Sequence, residues 1–171
     1  MANRLQTVLK VLSVSLLLLC MAVIYWFSDQ QSAASSEMSG GLTEDVIGFL
    51  FPQFSDWPLK LQADVYFLIE VCLRKAAHFL VFALLGGLWL FVSECFLEKR
   101  WIKLAVSFGG SVFYAAFDEF HQTLVPGRSG ELRDVCIDAS GALLGILAVL
   151  LFIKVVSVWM RRRERKRNKI K

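Results

Sequence analysis

Four long apolar runs divide the sequence, and they restrict its fold more than any other feature. They extend over about residues 8–27, 76–93, 101–119 and 135–158. A helix crosses the hydrocarbon core of a bilayer with about 20 apolar residues. Backbone groups inside a bilayer must be paired internally, so helices or closed barrels are the available structures. We therefore predict an all-α polytopic membrane protein with four transmembrane helices.

Composition indicates one membrane domain over residues 1–160, followed by a basic cytoplasmic tail over residues 161–171. Hydrophobic residues make up 56% of the 171 residues, which is too apolar for an ordinary soluble domain. Basic segments after an apolar run are typical of the cytoplasmic membrane surface, so we expect no nucleic-acid partner. The first apolar run is longer than a usual signal-peptide core, and we predict that it is an uncleaved span.

Basic residues flank the runs unevenly, and this predicts the orientation. The basic positions expected on one side are Arg4, Lys10, Lys99, Arg100, Lys103 and the tail. Because cytoplasmic loops carry the excess of Lys and Arg, a four-span topology places both termini in the cytoplasm. We therefore predict a multi-pass plasma-membrane protein whose long loop, residues 28–74, lies outside.

The long outside loop contains segments of three kinds. Residues 28–41 are polar and small, which predicts a flexible connector. Residues 46–54 are apolar, too short to span and interrupted by Pro52, which predicts an interfacial or re-entrant segment. Apolar residues at helical intervals over residues 59–72 predict an amphipathic helix that leads into the second span.

The third run is the shortest. Its uncharged part, residues 104–117, would rise only roughly 21 Å as a helix, less than a hydrocarbon core of about 30 Å. The helix therefore has to take in Trp101 on one side and Asp118, Glu119 and His121 on the other. We expect those polar groups to face protein or water rather than lipid; local thinning of the bilayer is the alternative.

Polar residues of several chemical kinds lie near the predicted outer ends of the last three spans. They are Lys75, His78, Asp118, Glu119, Gln122, Arg128, Asp134 and Asp138. Spacings of three or four residues place several of them on shared helix faces, as for Asp134 and Asp138. We expect the three helix ends and the turn that carries Arg128 to surround one shallow cavity that is open to the outside.

Two explanations of this cluster stay open at this point. One is a network of ion pairs that holds the helix ends together, because buried charges persist when they are paired. The other is a ligand site. Asp118, Glu119 and His121 are poorly spaced for a single metal ion, because adjacent helical residues point about 100° apart. The sequence contains no cofactor motif, so we expect no cofactor and assign no metal ligand, while a divalent cation held by carboxylates from two helices stays open as an alternative.

Gly141 and Gly145 form a GxxxG pattern in the fourth run, which lets another helix approach closely. The pattern fits contacts within the chain and between chains. A helix-mediated homo-oligomer through these glycines is therefore one prediction.

Several segments together resemble the VanZ-like family. They are FSDQ at residues 27–30, RKAAHFLVFALLG at 74–86, DEFHQTLVPGRSGELRDVCID at 118–138 and GALLG at 141–145. In order and spacing they cover almost the whole chain except the tail. Family members often carry Asn at the position of Asp138, so this chain has an additional negative charge there.

The resemblance implies a small polytopic protein of the cell envelope. The family's founding role is low-level resistance to the glycopeptide antibiotic teicoplanin in Gram-positive bacteria, without an altered peptidoglycan terminus. The family positions that carry over are Lys75, His78, Asp118, Glu119, Gln122, Arg128 and Asp134.

The leading hypothesis is an envelope protein with an outward-facing polar site that affects glycopeptide susceptibility. The predicted substrate-binding residues are Lys75, Gln122, Arg128, Asp134 and Asp138. The candidates for catalysis or proton transfer are His78, Asp118 and Glu119. The expected partners are membrane lipids and either a glycopeptide antibiotic or a lipid-linked cell-wall precursor. The alternatives are a membrane enzyme acting on a lipid-linked anionic substrate, a small transporter, and a scaffold whose polar groups only hold helices together.

Overall fold

Helices account for nearly all of the chain. The computed structural model describes residues 2–29, 32–126 and 130–168. Within these ranges the chain forms five α-helices and one short 3₁₀ helix, and no strand. The helices are α1 (Ala2–Ser28), α2 (Ser32–Leu50), the 3₁₀ helix (Phe54–Asp56), α3 (Leu59–Phe96), α4 (Arg100–Gln122) and α5 (Leu132–Asn168). The prediction of an all-α protein is confirmed.

Helices α1, α3, α4 and α5 lie side by side, two in each direction. The start of α4 meets the end of α3, where the hydroxyl oxygens of Ser107 and Ser93 lie 3.1 Å apart, within hydrogen-bond distance. The start of α1 also meets the end of α3, where the Lys10 ammonium lies 5.1 Å from the centre of the Phe96 ring. Helix α5 runs parallel to α3, with which it shares the most extensive interface. The bundle therefore brings the end of α4 and the start of α5 to one common level.

The apolar core lies where α1, α3 and α4 meet. Its buried residues include Leu17 and Ile24 from α1 and Phe82 and Leu85 from α3. Tyr114 of α4 completes this core, and its hydroxyl donates a hydrogen bond of 2.6 Å to the backbone carbonyl of Met21. This bond pairs a buried phenol with a carbonyl of the facing helix, so the aromatic ring can pack in the core without leaving its polar atom unsatisfied.

Helix α4 turns its polar side inward and its apolar side outward. Its buried residues recur on one side at intervals of three or four, with two adjacent pairs: Ser107, Ser111, Tyr114, Ala115, Asp118, Glu119 and Gln122. Its exposed residues include Phe113 and Phe120, which are 75% and 65% exposed. Soluble proteins have the opposite pattern, whereas membrane helices pack through small and polar residues and present apolar side chains to lipid.

Three helices in the described part of the chain are long and apolar enough to cross a membrane. They comprise Arg4–Ser28, Leu59–Phe96 and Leu132–Arg163. The third predicted span corresponds to α4, which is not one of these three because its composition is more polar. Its extension was predicted correctly, since α4 continues through Asp118 and Glu119 to Gln122.

The region between the first and second spans differs from its prediction in two respects. The flexible connector predicted for residues 28–41 is wrong, because helix α2 begins at Ser32 and continues through Leu50. Helix α2 packs against α3 and buries Thr43 and Ile47, so tertiary packing overrides the Ser- and Gly-rich composition. The amphipathic helix predicted for residues 59–72 is not a separate element but the first part of α3. With 38 residues, α3 rises about 57 Å, far more than a bilayer core requires.

Glycines allow the backbones of α3 and α5 to come into direct contact. A Cβ atom placed on Gly141 would overlap the carbonyl group of Phe79, and one on Gly145 would overlap the carbonyl group of Ala83. On the opposite helix, a Cβ on Gly86 would overlap the backbone of Ala142. The face of α5 that carries the GxxxG pattern is thus occupied by α3 of the same chain.

We expect Gly145→Ala to lower the free energy of unfolding by about 1–3 kcal/mol, because the added methyl group forces two packed backbones apart. The same substitution in α4, Gly109→Ala, is the matched control, because no atom of a neighbouring residue lies within 4 Å of the place its methyl group would occupy. Alanine there should be neutral or stabilising by about 0.5–1 kcal/mol. Thermal unfolding of the purified proteins in one detergent measures both, and equal midpoints for the two variants would contradict the packing argument.

Candidate functional site

Two polar contacts join α3 to α5 at one end of their interface. The Lys75 ammonium pairs with the Asp134 carboxylate. One turn further along both helices, Nδ1 of His78 lies 3.7 Å from Oδ2 of Asp138. The spacings of three on α3 and four on α5 match because the helices run parallel and in close contact. Lys75 and Asp134 remain about one-third exposed, whereas the Asp138 side chain is only 1% exposed.

Asp118 is held by hydrogen bonds from two helices. The Ser28 hydroxyl at the end of α1 donates to Oδ2 at 2.8 Å, and Nε2 of Gln122 donates to the same oxygen at 3.0 Å. Asp118 is 1% exposed and Gln122 is 8% exposed. Buried carboxyl groups need such partners, and here both donors reach one oxygen, so they fix the orientation of the carboxyl group.

Glu119 faces the connection between α4 and α5 rather than Asp118. Its Oε2 accepts a hydrogen bond of 2.8 Å from the backbone N–H of Glu131. Next to this contact, a Cβ atom on Gly130 would lie 2.7 Å from the carbonyl oxygen of Glu119. The carboxyl group therefore attaches the returning chain to the end of α4, which makes it a positioning group for the start of α5.

His121 contacts α1. Its ring stacks on Tyr25 with ring centres 4.5 Å apart, and its Nε2 lies 3.3 Å from Oδ1 of Asp29. Glu119 and His121 therefore reach different partners, as their separation of about 200° around the helix requires.

The bundle brings three of the predicted site residues together. One potential ligand atom from each of His78, Asp118 and Asp138 lies within 4.8 Å of the other two. They come from α3, α4 and α5, and Gln122 joins them through Asp118. Lys75 and Asp134 lie one helical turn away along α3 and α5, and Glu119 faces the connection to α5. The predicted Arg128 lies outside the described residues.

Sequence reasoning missed the contribution of α1 to this cluster. Ser28, Tyr25 and Asp29 contact Asp118 or His121, but none of them was proposed as a site residue. The available signal was the position of Ser28 and Asp29 directly at the end of the first apolar run. Polar side chains at that depth indicate a protein-facing helix end.

An open cavity of about 600 Å³ lies at the other end of the bundle, between α3, α4 and α5. Its charged lining residues are Glu94, Arg100, Lys103 and Lys154. Sixteen residues of α3, about 24 Å of helix, separate Glu94 from His78. The cavity is therefore distinct from the cluster of His78, Asp118 and Asp138.

These features define a helical membrane protein with buried carboxyl groups and a histidine gathered at one end of its bundle. The chain belongs to the VanZ/LLP1 family, whose family model matches residues 13–153. This confirms the resemblance to VanZ-like proteins. No curated protein and no solved structure matches the chain.

Replacing Ser28 with Ala should destabilise the protein, because the buried Asp118 carboxyl group then loses one of its two donors. The expected cost is about 1.5–3 kcal/mol, the range for hydrogen bonds to charged groups. Ser140→Ala is the matched control, since the exposed Ser140 hydroxyl bonds only to the carbonyl of Ile137 in its own helix. Thermal unfolding compares the two variants, and a cost for Ser140→Ala as large as for Ser28→Ala would contradict a specific role for the contact with α1.

Proposed function

We propose that α1, α3, α4 and α5 all cross the plasma membrane, with both termini in the cytoplasm. Helix α4 has 23 residues and rises about 34 Å, enough to cross the hydrocarbon core. It packs against both α3 and α5, and aromatic residues occupy its outward face. Basic residues at its start and acidic residues at its end lie outside the apolar stretch of residues 104–117. The excess of Lys and Arg at one end of the bundle supports the orientation.

Two native cysteines on α3, one on each side of the predicted span of residues 76–93, test this topology. Cys72 is exposed and lies just before Lys75, whereas Cys95 lies near the end of α3 and is partly exposed. In intact cells, a membrane-impermeant maleimide should label a variant that retains only Cys72. A variant that retains only Cys95 should react after permeabilisation alone. Labelling of Cys95 in intact cells, with Cys72 protected, would reverse the proposed orientation.

We further propose that the polar end of the bundle is an outward-facing site that lowers susceptibility to glycopeptide antibiotics. Membership of the VanZ/LLP1 family supports a role of this class, in glycopeptide susceptibility. The observation that carries the site is the burial of Asp118, Glu119, Asp138 and Gln122 at one end of the bundle. Ionisable groups at membrane depth are costly and mark functional sites by default.

The chemistry of the site favours an anionic ligand at its rim. Lys75 is 28% exposed and offers an ammonium group that can bind a phosphate or carboxylate of a lipid-linked molecule. Asp134 keeps this ammonium in place between α3 and α5. Deeper in the bundle, His78 and Asp118 are placed to orient the ligand or to accept a proton. Glu119 is the weaker candidate for a base, because it already holds the Glu131 N–H.

Loss of the Lys75 charge should abolish protection. We expect the wild-type protein, expressed in a sensitive Gram-positive host, to raise the minimal inhibitory concentration of teicoplanin, and Lys75→Gln to return it to the level of the empty vector. Lys60→Gln is the matched control, because it removes the same charge from an exposed position on α3. Immunoblots of membranes verify equal amounts of protein.

Exchange of the charges of Lys75 and Asp134 distinguishes ligand binding by Lys75 from a purely structural role of the ion pair. The double variant Lys75→Asp with Asp134→Lys preserves an ion pair between α3 and α5 but moves the cation. Protection that survives the exchange would show that the pair only holds helices together. A wild-type protein that gives no protection would overturn the proposed function itself.

A further inference from the structure

The strongest unexplained feature of the molecule is the group of His78, Asp118 and Asp138. Their potential ligand atoms lie within 4.8 Å of one another. Both carboxyl groups are 1% exposed, so water at the surface does not solvate them. Three residues that occur far apart in the sequence are thus brought to one point inside the bundle.

The buried carboxyl oxygens are largely unpartnered. Within the described part of the chain, Oδ1 of Asp118 and both oxygens of Asp138 have no hydrogen-bond partner. Leaving such atoms buried and unpaired is strongly unfavourable when the groups are charged. Native proteins pair buried polar atoms almost without exception, so these three oxygens indicate a ligand that is bound between them.

The lysine and arginine residues that the structure describes nearby pair with other carboxylates. Lys75 pairs with Asp134, and Arg74 pairs with Glu70 at 3.0 Å. Among the described residues, no lysine or arginine forms an ion pair with Asp118 or Asp138. A positive charge placed between the two carboxylates would offset both.

The hydrogen bonds around Asp118 leave one oxygen available for a ligand. Ser28 and Gln122 both donate to Oδ2, so Oδ1 remains without a partner. Carboxylates that bind metals are themselves oriented by hydrogen bonds from neighbouring groups. The arrangement thus fixes the direction in which Asp118 offers its lone pair.

We propose that His78, Asp118 and Asp138 together bind one divalent cation of the Zn²⁺ or Mn²⁺ type. One imidazole nitrogen with two carboxylates is a mixed set of ligands that suits these ions, whereas Mg²⁺ and Ca²⁺ prefer oxygen ligands alone. In a tetrahedral site with bonds of about 2.1 Å, the ligand atoms lie about 3.4 Å apart. Side-chain shifts of less than about 1 Å therefore convert the observed spacing into a coordination site. This inference rests on the proposed function, because it concerns the same site. It adds a bound cation to that site.

Metal content tests the inference directly. The full chain, purified in detergent with a tag that contains no histidine, is stripped with a chelator and equilibrated with ZnCl₂ or MnCl₂. After desalting, elemental analysis should find about one ion per chain. For Asp138→Asn the dissociation constant should rise by at least about 10-fold, a loss that already follows removal of a ligand's hydrogen-bond partner. Asp64→Asn, which removes a carboxylate from an exposed position on α3, should keep both stoichiometry and affinity.

Thermal unfolding distinguishes loss of the ion from loss of the fold. Added Zn²⁺ or Mn²⁺ at about 100 times the dissociation constant should raise the midpoint of the wild type by roughly 5–10 °C. Asp138→Asn should lose this shift, yet its metal-free midpoint should equal or exceed that of the wild type, because one buried charge has been removed. A folded Asp138→Asn variant that binds the ion as tightly as the wild type would overturn the proposal, as would preferential binding of Mg²⁺ or Ca²⁺.

Failure of this inference and failure of the proposed function have different outcomes. A protein that protects against teicoplanin but binds no cation refutes the cation site alone. A protein that binds one cation through these three residues but does not protect refutes the proposed function and leaves the cation site intact.

Discussion

The backbone contact between α3 and α5 determines where the polar residues of this protein meet. Because Gly86, Gly141 and Gly145 carry no side chain, the two helices approach until carbonyl groups of one meet Cα atoms of the other. At this separation, short side chains such as aspartate and histidine reach across the interface. A wider separation of the two helices would move Asp138 away from His78. The glycines thus do more than pack, since they set the geometry of the site one to two turns away.

Helix α4 shows how a membrane bundle accommodates a polar interior. Lipid is as apolar as a leucine side chain, so helices in a bilayer do not associate by burying apolar surface from water. Ser107 and Ser111 bond to carbonyl groups of their own helix, and this satisfies their hydroxyl groups at the interface. Asp118 at the end of the same stripe receives donors from Ser28 and Gln122. Along this stripe the polar groups change from neutral hydroxyl groups to a carboxyl group near the end of the helix. Burial of a charged group is less unfavourable there than at mid-depth.

Much of this arrangement could be predicted from the sequence. Hydrophobic runs located the four bundle helices, and the shortness of the third run predicted that α4 includes Asp118 and Glu119. Spacing along one helix predicted that Asp134 and Asp138 share a face. Spacing does not indicate which helix lies opposite, so the donation from Ser28 to Asp118 was not predictable. Helix α2 was missed because Ser and Gly are poor local signals for a helix that is stabilised by packing against α3.

The distribution of charge along the bundle favours a function at one membrane face over transport across the membrane. Between His78 and Glu94 the sequence of α3 contains no charged residue, and the same holds for residues 104–117 of α4 and 139–153 of α5. Proton and ion pathways through membrane proteins use ionisable groups or broken helices at mid-depth. Here the helices are continuous through that region, and the buried polar groups described there are hydroxyl groups of Ser and Tyr and the indole N–H of Trp89. A ligand that enters among Lys75, His78 and Asp118 would therefore meet an apolar barrier before it reached the cavity beside Lys103 and Lys154.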